Sequence, residues 1–223
     1  MDLQQLINEY RRRAGDTAVP PFVSDDDLAP IAAEAEQEAC VRARLLYDDA
    51  SPGVATYPIT AGQAIVTLDA SVDRITEASF LPASGGRRRE LELTGLDYMQ
   101  DQCDWTARTS SRPGYLAHYD VSKARIWPTP SVAGTLYLSV YRMPLWPIED
   151  LDDEPEIAAT HHMGLVDWIL YRVFSRVDME LYDPQRAELA IKEFTDRFGE
   201  RPSADVRRRQ RERRRVTTRP YTG

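Results

Sequence analysis

Cysteine is scarce in this sequence, and long apolar runs are missing. The two cysteines, Cys40 and Cys103, are too few for a disulfide framework or a cysteine-ligated zinc site, so we expect two buried free thiols. A Cys40–Cys103 disulfide is the alternative. No apolar stretch approaches the roughly 18 to 20 residues that a membrane-spanning helix needs, and Met1 to Arg13 is amphipathic, unlike a signal peptide. We therefore expect a soluble, cytosolically synthesised chain.

Motifs for catalysis or nucleotide binding are missing as well. Gly85-Gly86 precedes Arg87-Arg88-Arg89 but lacks the spacing and the following helix of a phosphate-binding loop. We expect an exposed hairpin tip there, with contact to nucleic acid or an acidic partner as the alternative. His161 and His162, with Asp167 or with the acidic cluster Asp150 to Glu156, form the best candidate for a metal or hydrolase site, but adjacent histidines on a helix point in different directions. The sequence thus predicts no enzyme, metal site or cofactor.

The net charge of −8 hides an acidic body and a basic end. Residues 201–223 carry nine arginines against Asp205 and Glu212, a local charge of +7, which leaves −15 for residues 1–200. The apolar content of 42% is enough for a packed core in that body. Because opposite charges attract, we expect the body and the C-terminal segment to meet different partners.

Helical periodicity marks the first 50 residues. Leu3, Leu6, Ile7 and Tyr10 predict a helix that ends near Gly15. Ser24 can cap a second helix, which Pro30 should either kink or move to a later start at Ala29 or Pro30. The inward-facing stripe of this second helix is predicted to contain Leu28, Ala32, Ala35, Ala39, Ala43 and Leu46.

From Ser51 to Pro147 the periodicity becomes alternating, with many β-branched and aromatic residues, which predicts strands. A hairpin should turn at Val121 to Lys123. The last strand is the clearest, because Leu136, Leu138 and Val140 alternate with polar or aromatic neighbours.

Helical signals return after the acidic linker Glu149 to Glu156. The segment His161 to Val177 is apolar on most faces and should be the buried central helix. Asp183 with Pro184 predicts the start of another helix, which Gly199 should end. Ser203 can cap a last helix, whose run from Arg207 to Arg215 has almost no apolar face and therefore needs a partner outside its own core.

These patterns together predict an α+β fold. Residues 1–50 and 148–200 should form an α-helical bundle, residues 51–147 a β-rich insertion, and residues 201–223 an extended basic C-terminal arm.

The order of these segments carries a resemblance. It is strongest in Ser24-Asp25-Asp26-Asp27-Leu28 leading to Glu38-Ala39-Cys40, in Tyr141-Arg142-Met143-Pro144-Leu145, and in Asp153-Glu154-Pro155-Glu156-Ile157 followed by His161, Leu165, Trp168 and Tyr171. In this layout the chain resembles the head-to-tail adaptors of tailed phages, also called connector or head completion proteins. Ala158-Ala159 departs from similar proteins, which often have a proline there.

The resemblance implies a structural virion protein at the head-tail interface, synthesised in the host bacterial cytoplasm. Its subunits would form a ring, a dodecamer, between the portal protein and a downstream tail or nozzle protein. Genome DNA would pass through the lumen without sequence-specific binding, and no membrane would be involved. The arm would bind the portal through Arg207, Arg208, Arg209, Arg211, Arg213, Arg214, Arg215, Arg219 and Tyr221.

A nucleic-acid-binding protein is the alternative function, because arginine-rich segments bind phosphate. The tryptophans Trp105, Trp127, Trp146 and Trp168 could then stack on bases. Core packing is the interpretation we favour, since Trp127 and Trp168 fall on apolar faces and an acidic body repels phosphate.

Overall fold

The computed structural model describes residues 1–177 and 180–206, in which helices flank a central run of strands. The mixture of helices and strands expected from the sequence is confirmed. The chain divides into two compact units. One contains Met1–Leu46 and Met143–Pro202, and the other contains Tyr47–Arg142 together with the described residues 203–206.

Capping residues set the bounds of the first two helices. Helix α1 spans Leu3–Ala14, begins where the Asp2 carboxylate accepts a hydrogen bond from the Gln5 amide, and ends at Gly15 with φ of 78°. Helix α2 spans Asp25–Ala43, with the Ser24 hydroxyl accepting a hydrogen bond from the Asp27 amide. The helix passes through Pro30, so the later start predicted at Ala29 or Pro30 is wrong.

The predicted stripe of α2 is only partly correct. Its first four members, Leu28, Ala32, Ala35 and Ala39, are fully buried. Ala43 is exposed, and Leu46 belongs to the first strand, β1 (Leu46–Asp48), which lies inside the range 1–50 that was expected to be helical. The left-handed Arg44, with φ of 55°, ends the helix before the stripe is complete.

The later helices agree closely with the sequence prediction. Helix α4 spans His162–Phe174, after a short 3-10 turn at Ala159–His161, and is therefore shorter than predicted. Helix α5 spans Pro184–Phe198 and is capped by the Asp183 carboxylate, which accepts hydrogen bonds from two backbone amides. Gly199 follows its end, as expected.

Helix α4 is the centre of the first unit, because α1, α2 and α5 all pack against it. Its predicted burial is confirmed: Leu165, Val166, Ile169 and Val173 are inaccessible to solvent. The Phe194 ring packs against those of Trp168 and Phe198, with centroid distances of 4.9 and 4.7 Å.

The second unit contains most of an eight-stranded sheet. Its order is β1-β10-β4-β5-β7-β8-β3, and β2 also pairs with β10. The strands besides β1 are β2 (Thr56–Ile59), β3 (Ile65–Thr67), β4 (Val72–Pro82), β5 (Arg89–Thr94), β7 (Tyr115–Asp120), β8 (Lys123–Trp127) and β10 (Gly134–Arg142). A small separate sheet pairs β6 (Thr109–Ser110) with β9 (Thr129–Pro130), and a short helix, α3 (Leu96–Gln100), interrupts the β-rich stretch.

Strand pairing confirms the clearest sequence patterns. The β7–β8 hairpin turns at Val121 and Ser122, within the predicted range, although Lys123 already belongs to β8; β10 buries Leu136, Leu138 and Val140. Strand β10 runs antiparallel to β4, with Leu136 opposite Phe80 and an irregularity between Ser139 and Val140. The pairing of β5 with β7 is parallel.

Two predictions about buried side chains are wrong in part. Trp127 and Trp168 are buried, as expected, but Trp146 is 77% exposed. Both cysteines are free thiols, yet only Cys40 is buried and Cys103 is exposed. Exposed single apolar residues are common on protein surfaces, and the sequence around Trp146 and Cys103 has no regular element to bury them.

Candidate interaction surfaces

The C-terminal segment leaves the first unit at an anchor formed by Arg42 of α2. The Arg42 Nε atom lies 2.8 Å from Glu38 Oε1, and its Nη1 donates to Thr195 Oγ1 at 3.0 Å and to the Gly199 carbonyl oxygen at 3.2 Å. Because the side chains of Arg42 and Glu38 are only 8% and 7% exposed, this ion pair is largely shielded from water. The Arg42 anchor thus fixes the end of α5.

Aromatic rings and a second arginine complete the Arg42 anchor. The guanidinium carbon of Arg42 lies 5.0 Å from the Phe194 ring centroid and 5.5 Å from that of Trp168. Arg201 approaches Glu38 at 3.6 Å from the other side. Sequence reasoning missed this site, although Glu38 and Arg42 have the i,i+4 spacing of a helical ion pair.

The expected portal-binding residues lie almost wholly beyond the described part of the chain. Residues 204–206 form a helical turn in which the Ser203 hydroxyl accepts a hydrogen bond from the Val206 amide at 3.3 Å, and all four residues are exposed. The predicted cap at Ser203 is therefore confirmed. Arg207, Arg208, Arg209, Arg211, Arg213, Arg214, Arg215, Arg219 and Tyr221 fall outside the described residues.

The histidines that the sequence singled out have separate structural partners. His162 Nδ1 lies 2.9 Å from the Met1 amino group, and Nε2 lies 2.9 Å from the Ile157 carbonyl oxygen. The His161 ring packs near Phe198, at a centroid distance of 5.9 Å. Within residues 1–177 and 180–206, no group of three or more His, Cys, Asp or Glu side chains could hold a metal ion.

Asp167, the acid that was grouped with these histidines, pairs with arginines instead. Its Oδ1 accepts a hydrogen bond from Arg13 Nη1 at 2.9 Å, and its Oδ2 lies 3.7 Å from Arg197 Nε. Burial raises the pKa of Asp167, against the opposing effect of both arginines. The contacts link α1, α4 and α5, which is a structural role.

Glu36 is a second buried acid that the sequence did not reveal as unusual. Its side chain is 1% exposed, and its Oε1 accepts a hydrogen bond from the Ile157 amide at 3.1 Å. Burial raises the pKa of Glu36 to about 7, although backbone hydrogen bonds partly oppose the increase. The carboxyl group thereby joins α2 to the segment that precedes α4.

A basic pocket lies beside the turn between β4 and β5. It has a volume of about 500 Å³. Four arginines line it, namely Arg87, Arg88, Arg89 and Arg112. The apolar lining residues are Phe80, Pro82, Pro113 and Val132. The predicted exposed tip is confirmed, since residues 83–90 are all exposed. Arg88 is held in place, because its Nε donates to Ser79 Oγ at 2.6 Å and its guanidinium carbon lies 4.2 Å from the Tyr137 ring centroid.

An acidic groove lies on the first unit, between α2 and the linker that precedes α4. It has a volume of about 670 Å³ and five acidic lining residues: Asp25, Asp26, Glu34, Glu149 and Asp150. Its apolar floor includes Ala29, Ala33 and Ile148. The linker wall is ordered by Asp153, whose Oδ2 accepts hydrogen bonds from the Glu149 and Asp150 amides at 2.9 and 2.8 Å.

The described residues thus hold buried ion pairs, a basic pocket and an acidic groove. None of their helices is long and apolar enough to cross a membrane. A profile of the SU10 adaptor protein family matches residues 1–220, so the chain belongs to that family. It is a family of structural phage adaptor proteins and not a class of enzymes, which confirms the resemblance at the level of the family. No curated protein matches the chain.

Proposed function

We propose that this chain is a subunit of a closed ring, a dodecamer, that joins the portal protein of a tailed phage to a downstream tail or nozzle protein in the virion. Genome DNA passes through the lumen without sequence-specific contacts. The observation that carries the proposal is the match of the adaptor family to nearly the whole chain. The first unit is built from two chain segments, one before and one after the second unit in the sequence. This arrangement supports a helical bundle with a β-rich insertion at residues 51–147.

The arm, residues 201–223, binds the portal in this proposal. Seven arginines between Arg207 and Arg215 leave little apolar surface for docking on the chain's own core. Burying unpaired guanidinium groups costs several kcal/mol each, whereas an acidic portal groove would pair them, often in bidentate geometry. The Arg42 anchor supports the proposal, because it fixes the point from which the arm starts.

Electron microscopy of the full-length protein mixed with purified portal tests this function. We expect rings on the portal with the full-length chain, and none with a chain that ends at Pro202. A full-length variant with glutamine in place of the seven arginines from Arg207 to Arg215 keeps the length of the arm and removes most of its positive charge. Normal decoration of portals by the truncated chain would contradict the assignment of the arm.

A nucleic-acid-binding function is the second candidate, because residues 201–223 carry a local charge of +7. It requires salt-sensitive binding of DNA by the isolated full-length chain, with loss of binding when Arg207 to Arg219 are removed. Under the adaptor proposal, the same removal abolishes portal attachment. The two assays on the same pair of proteins therefore distinguish the functions.

Acidic residues of the body line the lumen in the proposed ring. The charge of −15 on residues 1–200 would repel the DNA backbone and let the genome slide without sticking. A structure of the assembled ring with a lumen lined mainly by lysine and arginine would refute this part of the proposal.

A further inference from the structure

The basic pocket has a lining with excess positive charge. Arg87, Arg89 and Arg112 have no ion-pair partner among the described residues, and no acidic side chain from that part of the chain lines the pocket. Grouped guanidinium groups repel one another until an anion joins them. Pro82 and Val132, which are partly exposed and line the same pocket, favour a protein partner, because arginine beside apolar surface is typical of interface centres.

The acidic groove offers the complementary charge. Asp25 is already paired with Arg11, and Glu34 with Arg172. Asp26, Glu149 and Asp150 have no basic partner within the described residues, and all three are exposed. Leu3 donates its amide to the Asp153 carbonyl oxygen at 2.9 Å, so α1 holds the linker that carries two of these acids.

We propose that the basic pocket of one copy binds the acidic groove of a second copy of this chain. The inference rests on the proposed ring and names the surfaces through which neighbouring subunits meet. A contact between two different surfaces of identical subunits is heterologous, and it closes into a ring when the rotation between copies allows. DNA is a poorer occupant of the pocket, because the surrounding body of charge −15 repels phosphate.

Charge reversal on each surface tests the pairing in full-length protein. One variant carries E149R and D150R, and the other carries R87E and R112E, none of which removes an ion pair between described residues. Sedimentation velocity in physiological salt measures self-association without portal. We expect each variant alone to lose about tenfold or more in association constant, because like charges then face each other. An equal mixture of the two should regain it, because opposite charges face each other in alternating copies.

Matched controls separate specific pairing from general attraction. K123E/K192E changes the net charge as R87E/R112E does, and E188R/D196R changes it as E149R/D150R does, all at exposed positions outside both surfaces. Each control alone should self-associate at wild-type strength, because it leaves the basic pocket and the acidic groove unchanged. Self-association of the single variants at wild-type strength would overturn the proposal. Failure of the pocket and groove variants to associate when mixed would do the same.

The same assay distinguishes a second copy from the arginine-rich arm as the occupant of the acidic groove, and its result is independent of portal attachment. A chain that ends at Pro202 should self-associate as the full-length chain does. Loss of association in that truncated chain would assign the acidic groove to a neighbour's arginine-rich arm and contradict the pairing. Portal attachment is measured independently, so its failure contradicts the proposed function while the mixing experiment remains decisive for these surfaces.

Discussion

The guanidinium carbon of Arg42 lies 5.0 Å from the centroid of the Phe194 ring, so a buried cation links α2 to α5. The same guanidinium also donates to the Gly199 carbonyl oxygen, one residue beyond the end of α5. Among the described residues, removing it would leave Glu38, which is 7% exposed, with only the more distant Arg201 as a basic partner.

Arg42→Ala should therefore lower the free energy of unfolding by about 3 kcal/mol, the usual cost of leaving a buried charge without its partner. Urea unfolding followed by circular dichroism measures the loss. Arg172→Ala is the matched control, because its pair with Glu34 is 47% and 40% exposed and should contribute less than about 1 kcal/mol. Equal losses in the two variants would contradict the role of the anchor.

Glu36→Gln should change how stability depends on pH. The pKa of Glu36 in the folded chain is about 7, above its ordinary value of 4.5, so the folded state retains a proton that the unfolded state releases. The stabilising contribution is complete below about pH 4.5 and is lost as the pH rises through 7. At pH 8 the variant should be more stable than the wild type by an amount on the order of 3 kcal/mol.

Asp48→Asn should change the pH dependence of stability in the opposite direction, because the pKa of Asp48 is lowered rather than raised. Although burial acts to raise it, hydrogen bonds from Ser51, Ala50 and Arg142 lower the pKa of Asp48 to about 2. Its contribution is present above the ordinary pKa and is lost as the pH falls toward 2, so this variant should be less stable than the wild type at neutral pH. Chemical unfolding across a pH series measures the stability of both variants. Parallel curves of stability against pH for the wild type and Glu36→Gln would contradict the raised pKa of Glu36.

Gly134→Ala should disturb the pairing of β10 with β4. A Cβ atom at Gly134 would lie 2.5 Å from the Leu81 carbonyl oxygen and 2.5 Å from Phe80 Cζ, closer than either can be approached without movement. We expect a loss of about 1 to 3 kcal/mol in the free energy of unfolding. At Gly114 no atom of the described residues lies within 4 Å, so Gly114→Ala should stay within about 0.5 kcal/mol of the wild type. Thermal unfolding of both variants gives the comparison.

Removal of residues 203–223 should leave stability nearly unchanged, within about 0.5 kcal/mol, because the four described residues of this segment are exposed. Calorimetry of the chain that ends at Pro202 measures this. A large drop in the melting temperature would mean that the arm packs on its own subunit.

The purified chain should be a monomer or weak oligomer at low salt, because repulsion between whole acidic bodies of charge −15 then outweighs the local attraction between one basic pocket and one acidic groove. Sedimentation at increasing salt concentration tests the expectation. A stable dodecamer of the isolated protein in low salt would refute it.

Local patterns in the sequence predicted the regular elements because caps, helical stripes and strand alternation depend on residues that are close along the chain. Ser24 and Asp183 mark helix starts, Gly15 marks a helix end, and the β7–β8 turn falls where it was expected. The departures occur where a tertiary contact decides. Leu46 leaves the helical stripe of α2 because it starts a strand of the sheet formed with the distant β10.

The sequence by itself determined the helical and strand segments, the separation of an acidic body from a basic end, and the resemblance to phage adaptors. Only the tertiary structure brought Arg42 to Phe194, Glu36 to Ile157, and Arg112 beside Arg87. The two residues of each pair are more than 20 positions apart in the sequence, and local propensity does not predict contacts over such separations. Packing of the helices around α4 and pairing of strands in the sheet create these contacts, because burial of the shared apolar surface selects one arrangement of the elements.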